Sequence, residues 1–303
     1  MPGSVRATAR SRRRREWGGP ILAAPLPDVL QVTEKGDGHF SAPHPASDPE
    51  GRDVVFSGQI LAQMIMVSDQ AVGGAKDVKS IHAIFARAGN YSGGPMDYQL
   101  DVLHSGRAWG SDTITVTQND RLLSRGLVLL NTIETDLMRH GPEMPDVEGP
   151  DALQASEALV YEGVETRMVG SQDATAPDGS PAIYFWIRNG ESYDSPAANQ
   201  AIVAWCQPGA IIGLAMRPHA DTVNIADAHR TISTGVISHT CHFHERFDVG
   251  DWLLVAQQAT YAGHGRVFGS GSVFTRDGTL VSTFAQDSMA RGIDAPLDPK
   301  RSM

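Results

Sequence analysis

Cysteine is almost missing from this chain: 303 residues carry two, Cys206 and Cys241. No disulfide framework can be built from that number. Free thiols suit a reducing compartment, so a cytoplasmic location is expected. Long apolar runs are missing too. The mean hydropathy is −0.22, no stretch is long enough to cross a bilayer, and no membrane association is expected. The apolar stretch over residues 20–27 is short and broken by Pro20, Pro25 and Pro27, so it does not read as a signal peptide. Basic charge is scarce outside one place. Arg6, Arg10, Arg12, Arg13, Arg14 and Arg15 crowd the first fifteen residues. The remainder has 19 basic residues against 35 acidic ones, a net charge near −16. A body that acidic does not bind nucleic acid, which requires a basic face against phosphates. The sequence also contains no G-x-S-x-G nucleophile elbow.

What is present is the composition of an ordinary globular protein, 41% hydrophobic and 20% charged. Residues 1–30 read as a basic tail and lead-in, and residues 41–53, dense in Pro, Ser and Asp, as a loop. Residues 57–72 are apolar over most of a helical circumference through Ile60, Leu61, Met64, Ile65 and Met66, with Ser57 available as an N-cap. A helix so apolar must be wrapped by other structure. The period then changes to two. Ile114 and Val116 alternate with threonines, Gln118-Asn119-Asp120 supplies a hairpin turn, and residues 122–130 return as a strand. Residues 80–89 and 96–104 also read as strands.

The same order recurs. Residues 182–189 are a strand, and an apolar helix starts at Pro196 behind Ser195 as its N-cap. Strands follow over 232–247, 251–263, 265–278 and 279–291, with Arg276-Asp277-Gly278 as a second hairpin turn. One buried helix plus an antiparallel meander, occurring twice, predicts an α+β chain with an internal duplication. The expected division is a tail and lead-in over 1–30, a first domain over 31–138, a linker over the proline-bearing residues 139–158, and a second domain over 159–303.

The ordered succession of fragments resembles the acyl-CoA thioesterase II family, which carries two hotdog domains in one chain. The fragments in the first half are residues 56–59 (FSGQ), 80–89 and the run from Gly106 through Trp109 to Asn119. In the second half they are residues 186–188, 217–219, Phe243-His244 to Phe247, 251–254, Arg266, 275–278 and Gln286. The resemblance implies a double hotdog with two long central helices, each wrapped by an antiparallel sheet. It implies an acyl-CoA thioester hydrolase, taking acyl-CoA and water to fatty acid and CoA, with a degenerate site. The alternative is a non-catalytic acyl-CoA or acyl-chain binding protein. A hydratase reading comes last, because no Asp-x-Asn-x-x-His segment is found. Acyl-CoA is the expected ligand, no cofactor is expected, and a homo-oligomer is left open.

Thioester hydrolysis needs an aimed water, a group to polarise it and donors for the developing oxyanion. The family that the chain resembles holds the water with an Asp, a Thr or Ser, and a Gln. Carried over by position, the Gln falls on Gln286, the Asp on Pro208 and the hydroxyl residue on Val236, so two of the three groups are replaced. Gln207, Thr234 and Ser238 are neighbours of the lost positions. A hydroxyl two residues along a strand is displaced by roughly 7 Å, so these read as polar surface. On the same resemblance Gly58 and Gln59 would contact substrate, and Arg266 and Arg188 would meet the phosphates of CoA. His239, Cys241, His242 and His244 crowd one strand. Without a second ligand pair at zinc spacing, no metal site is expected there. Cys206 reads as a core residue.

Overall fold

A computed structural model describes residues 27–43, 53–156, 159, 161, 163–170, 174–223 and 228–293. The arginine-rich start lies outside the described residues. The first half runs β1 (Thr33–Gly36), β2 (His39–Ala42), α1 (Ser57–Val72), β3 (Asp77–Phe85), β4 (Met96–Ser105), β5 (Trp109–Gln118) and β6 (Arg121–Asn131). The second half runs β7 (Val164–Met168), β8 (Ala182–Asn189), α2 (Pro196–Cys206), α3 (Ile211–Met216), α4 (Ala228–Thr231), β9 (Ile232–Phe243), β10 (Leu253–Gly263), β11 (Arg266–Thr275) and β12 (Leu280–Gly292).

The strands form one twelve-stranded sheet in the order β1-β2-β4-β5-β6-β3-β9-β12-β11-β10-β8-β7. The order is a palindrome of the two halves, as a duplicated domain requires. The halves join where β3 pairs with β9 antiparallel, with Ile81 opposite Cys241 and Ala83 opposite His239. The second half differs by an insertion. Where α1 leads almost directly into β3, α2 is followed by α3 and α4 before β9 begins.

Both helices are buried for the reason that their sequences give. Every residue of α1 from Gly58 to Ser68 is buried, and so is every residue of α2 from Ala197 to Cys206. α1 ends in a Schellman arrangement. Gly73 is left-handed at φ 61, and the Gly74 N–H bonds the Asp69 carbonyl at 3.1 Å. Phe56, not Ser57, holds its N-cap position, without a side-chain cap bond. At α2 the Ser195 hydroxyl accepts from the Ala198 N–H at 3.2 Å with Pro196 at the first helical position. Asn119 (φ 50) and Asp120 (φ 61) turn the β5–β6 hairpin through two left-handed residues.

The expected double hotdog with two long central helices, each wrapped by its own sheet, holds only in its coarser form. A single continuous sheet serves both halves. α1 has 16 residues but α2 has 11, because Pro208 lacks the N–H and the chain tightens to a 3-10 turn over Gln207–Gly209. Residues 139–153 do more than connect. Met144, Val147 and Leu153 pack on an outer cluster of Val169, Trp186, Trp252, Leu254 and Phe274. The Trp186 indole N–H donates to the Glu148 carbonyl at 2.9 Å. Among the described residues no helix is long and apolar enough to cross a membrane.

Candidate active site

The inner face of the second half carries a fully buried polar network. Gln286 on β12 stands opposite His239 on β9, and both are 0% exposed. His239 Nδ1 lies 3.2 Å from Gln286 Oε1, and His239 Nε2 lies 3.0 Å from Gln207 Oε1. Gln207 Nε2 donates to Ser282 Oγ at 3.1 Å, and Gln286 Nε2 donates to Ser288 Oγ at 2.9 Å. Gln257 on β10 donates from Nε2 to the Gln207 carbonyl at 3.0 Å. Phe284 stacks on the imidazole with ring centroids 5.6 Å apart. Polar side chains this far from water persist only when they bond one another.

Burial pushes the His239 pKa down to about 4, and a charge on nearby His82 would lower it further. The ring is therefore neutral near pH 7. Burial likewise raises the Cys241 thiol to about 11, against its bonds to Ser282 and Gln207, and holds Cys206 well above the usual thiol range. Neither thiol is a nucleophile at neutral pH.

Around this network the expected site residues are distributed unevenly. Gln286 lies at its centre. Pro208 is buried at the end of α2, and by breaking the helix it leaves Gln207 in the 3-10 turn, with its amide in the network. The reading of Gln207 as surface is thus corrected: it is 0% exposed. Val236 pairs with Ser288, so a hydroxyl stands across the ladder from the position that lost one. The register shifts there, with Ser238 opposite Asp287. Strict alternation would have put Ser238 on the face of Val236. With Ile237 as the extra residue it lies on the other face, where its hydroxyl bonds Asp287 Oδ2 at 3.1 Å.

Gly58 and Gln59 open α1 beside the end of α2, where the Gly58 Cα faces the Trp205 carbonyl. Gln59 is 1% exposed and its Nε2 has no hydrogen-bond partner among the described residues. Arg266 lies on the rim of a cavity of about 590 Å³ with Arg291, walled by Ala215, Met216, Ile232 and Val267. Ala290, also in that wall, is four residues from Gln286 on β12, roughly 13 Å. Arg188 is elsewhere. Its neighbour Ile187 pairs with Leu253 at one end of β10, while Arg266 pairs with Gly263 at the other. Ten residues of strand, roughly 33 Å, separate the two ends. Arg188 is also held by Glu165 at 2.7 Å and lies over the Trp252 ring at 4.6 Å. The two arginines cannot grip one phosphate cluster.

His242 and His244 fall outside the network; His244 Nε2 meets Thr283 Oγ1 at 2.9 Å. Among the described residues no three His, Cys, Asp or Glu side chains are grouped to hold a metal. Sequence reasoning missed His239, Ser288 and Gln257 as partners of Gln286. The signal for His239 was only its alternation onto the inner face.

Comparison with known proteins gives a consistent picture. The family model for the acyl-CoA thioesterase C-terminal domain matches residues 139–290. The chain is 22% identical over 264 residues to acyl-coenzyme A thioesterase 8 of Mus musculus, covering 78% of this chain and 80% of that one. The structure of an acyl-CoA thioesterase II from Mycobacterium marinum superposes with a TM-score of 0.75 at 20% identity, covering 88% of this chain and 98% of the other. A protein with hot dog fold from Alicyclobacillus acidocaldarius superposes with a TM-score of 0.68 at 18% identity, covering 89% and 98%. The hotdog architecture of the chain is established by these superpositions.

Proposed function

This chain belongs to the acyl-CoA thioesterase family, and from that premise we propose that it hydrolyses fatty-acyl thioesters of coenzyme A at Gln286. The observation that carries the reading is the position of Gln286: central in a buried polar network, roughly 13 Å along β12 from a cavity with arginines on its rim. Arg266 and Arg291 supply positive charge for the CoA phosphates, and the apolar walls suit the pantetheine arm. The thioester then lies inward. Water held by the Gln286 amide attacks the carbonyl carbon, the C–S bond breaks, and the water proton leaves with the thiolate. The products are the fatty acid and free CoA.

Gln286 is fully enclosed, so the acyl group enters by displacing α3. Ile211 of α3 sits over Gly269, which pairs with Gln286. The start of α1 at Gly58 and Gln59 borders the same region, and the unpartnered Gln59 Nε2 is a donor suited to a thioester oxygen. We assign α1 and α2 to the centres of the two hotdogs, and residues 139–158 to the segment between them. The free thiols Cys206 and Cys241 accord with a cytoplasmic location.

The second reading is a protein that binds acyl-CoA without turning it over. Pro208 and Val236 favour it, because neither can polarise water. Release of free thiol from a panel of acyl-CoA esters tests the first reading. Calorimetry with a non-hydrolysable acyl-CoA analogue tests both. Binding heat without thiol release selects the second reading, and no heat at high micromolar ligand overturns both.

A further inference from the structure

Two amides flank one imidazole with a hydroxyl behind each, and their donors and acceptors can be balanced in only a few ways. A neutral imidazole has one N–H and one lone pair. Gln207 Nε2 donates to Ser282 Oγ, which leaves Gln207 Oε1 facing His239 Nε2 at 3.0 Å. With the Gln207 amide kept as placed, its Nε2 toward Ser282 Oγ and the Cys241 thiol, that oxygen accepts and the ring proton sits on Nε2. Turning Gln207 instead would put the proton on Nδ1, and the histidine tautomer distinguishes the two. With the proton on Nε2, Nδ1 is a lone pair. The atom opposite it at 3.2 Å, placed as Gln286 Oε1, would set acceptor against acceptor. Turning the Gln286 amide over, which changes no shape, resolves the conflict. Its NH₂ then donates to Nδ1, and its oxygen takes the place 2.9 Å from Ser288 Oγ, accepting from that hydroxyl.

We propose that His239 is the positioning residue of this site: with Nε2–H anchored on Gln207, its Nδ1 lone pair holds the Gln286 amide with the oxygen turned toward Ser288 and the cavity side, ready to accept from the attacking water. The inference rests on the hydrolase reading and adds the orientation of Gln286, not the polarisation of water that a carboxylate would supply. An Asp at 208 could polarise water directly. In this chain the end of α2 contributes Gln207 instead, which fixes the ring, which in turn fixes Gln286. The oxygen of Gln286 keeps one lone pair for water after bonding Ser288. Removal of the ring would let the amide rotate between two orientations, only one of which accepts from water on that side.

The surroundings favour a neutral, fixed ring. From β3 the neighbouring titratable group is His82, and from β9 it is Cys241, with Cys206 ending α2. On β12 the inward residues are Ser282, Phe284, Gln286 and Ser288, none of them charged. Phe284 stacks on the ring, with the two planes 18° apart, and limits its rotation.

Two measurements test the inference. In the folded wild-type protein, ¹⁵N NMR of labelled histidine should show His239 as the neutral Nε2–H tautomer; the Nδ1–H tautomer overturns the proposal, whether or not the protein turns over acyl-CoA. In steady-state assays His239→Phe should lower kcat about 10-fold to 100-fold with KM within about twofold, and His239→Asn should recover part of the loss. The wild-type kcat should also fall on the acid side as the ring takes its second proton, and that limb should vanish in His239→Phe. Wild-type hydrolysis with His239→Phe at unchanged kcat, in a variant shown to be folded by circular dichroism, overturns the inference and leaves the hydrolase reading standing. Absence of hydrolysis from every wild-type acyl-CoA overturns the hydrolase reading and with it the catalytic consequence. The tautomer then decides the geometry alone.

Discussion

A Cβ added to Gly58 would clash with the carbonyl oxygen of Trp205. The start of α1 and the end of α2 thus meet backbone against backbone beside the candidate site. Gly58→Ala must push the helices apart, and should destabilise the fold by about 1–3 kcal/mol. Gly213→Ala is the control. Nothing lies within 4 Å of its added Cβ and it sits in α3, so it should stabilise by about 0.5–1 kcal/mol. Urea unfolding of the two variants measures the contrast, and equal midpoints would refute the backbone contact.

Gln286→Ala should lower turnover by about 10²-fold or more, by analogy with loss of one oxyanion donor. It also strips a partner from buried His239 and Ser288, so a stability loss of about 1–3 kcal/mol should accompany it. Turnover is to be read from thiol release at saturating acyl-CoA in protein shown to be folded. Wild-type turnover in Gln286→Ala would move the chemistry to another site.

Restoring the groups that the family carries gives a gain-of-function test. Pro208→Asp combined with Val236→Thr should raise turnover by about 10²-fold, the low end for a positioned general base. Val236 stands beside Ser288, so the added hydroxyl joins an existing polar pair. A flat response would refute the carry-over of the two lost groups to positions 208 and 236.

The two arginines should separate cleanly in binding. Arg266→Ala should raise KM for acyl-CoA several-fold, because the guanidinium borders the cavity. Arg188→Ala should leave KM unchanged, since its charge is committed to Glu165 and the Trp252 ring at the opposite end of β10. Initial-rate kinetics over a range of substrate concentrations would show it. A KM raised equally by both would contradict the register of the sheet.

Stability should fall with acid through His239. Its folded pKa is depressed to about 4 from 6.5 by burial. Between those values the unfolded chain binds more protons than the folded one, so stability rises with pH across that window and is complete above it. As pH falls through the window the contribution is lost, about 3 kcal/mol in total. His242 and His244, also lowered by burial, act with the same sign. Urea unfolding at pH 7.5 and 4.5 should show the drop, smaller by about 2–3 kcal/mol in His239→Phe. An identical drop in the variant would assign the effect to other groups.

The sequence by itself determined the repeated unit. An apolar helix and strands of period two are local patterns, since burial on one face or all round leaves its mark on every residue of the element. The hairpin turn at Asn119 and Asp120 was legible for the same reason. The short strands β1, β2 and β7 were not, because four or five residues are too few to establish a period; all four residues of β1 are exposed. The tertiary structure decided which side chains share the site. An extra residue at Ile237 reversed the face of Ser238 relative to Val236, and a bulge of that kind is set by pairing with β12, not by β9 alone. The turn after α2 brought Gln207, read as surface, into the core. Arg188 and Arg266 were both expected to meet the phosphates of CoA, and the register of β10 puts a strand length between them. Local periodicity fixes what faces inward. Only the pairing of distant strands fixes what each inward residue meets.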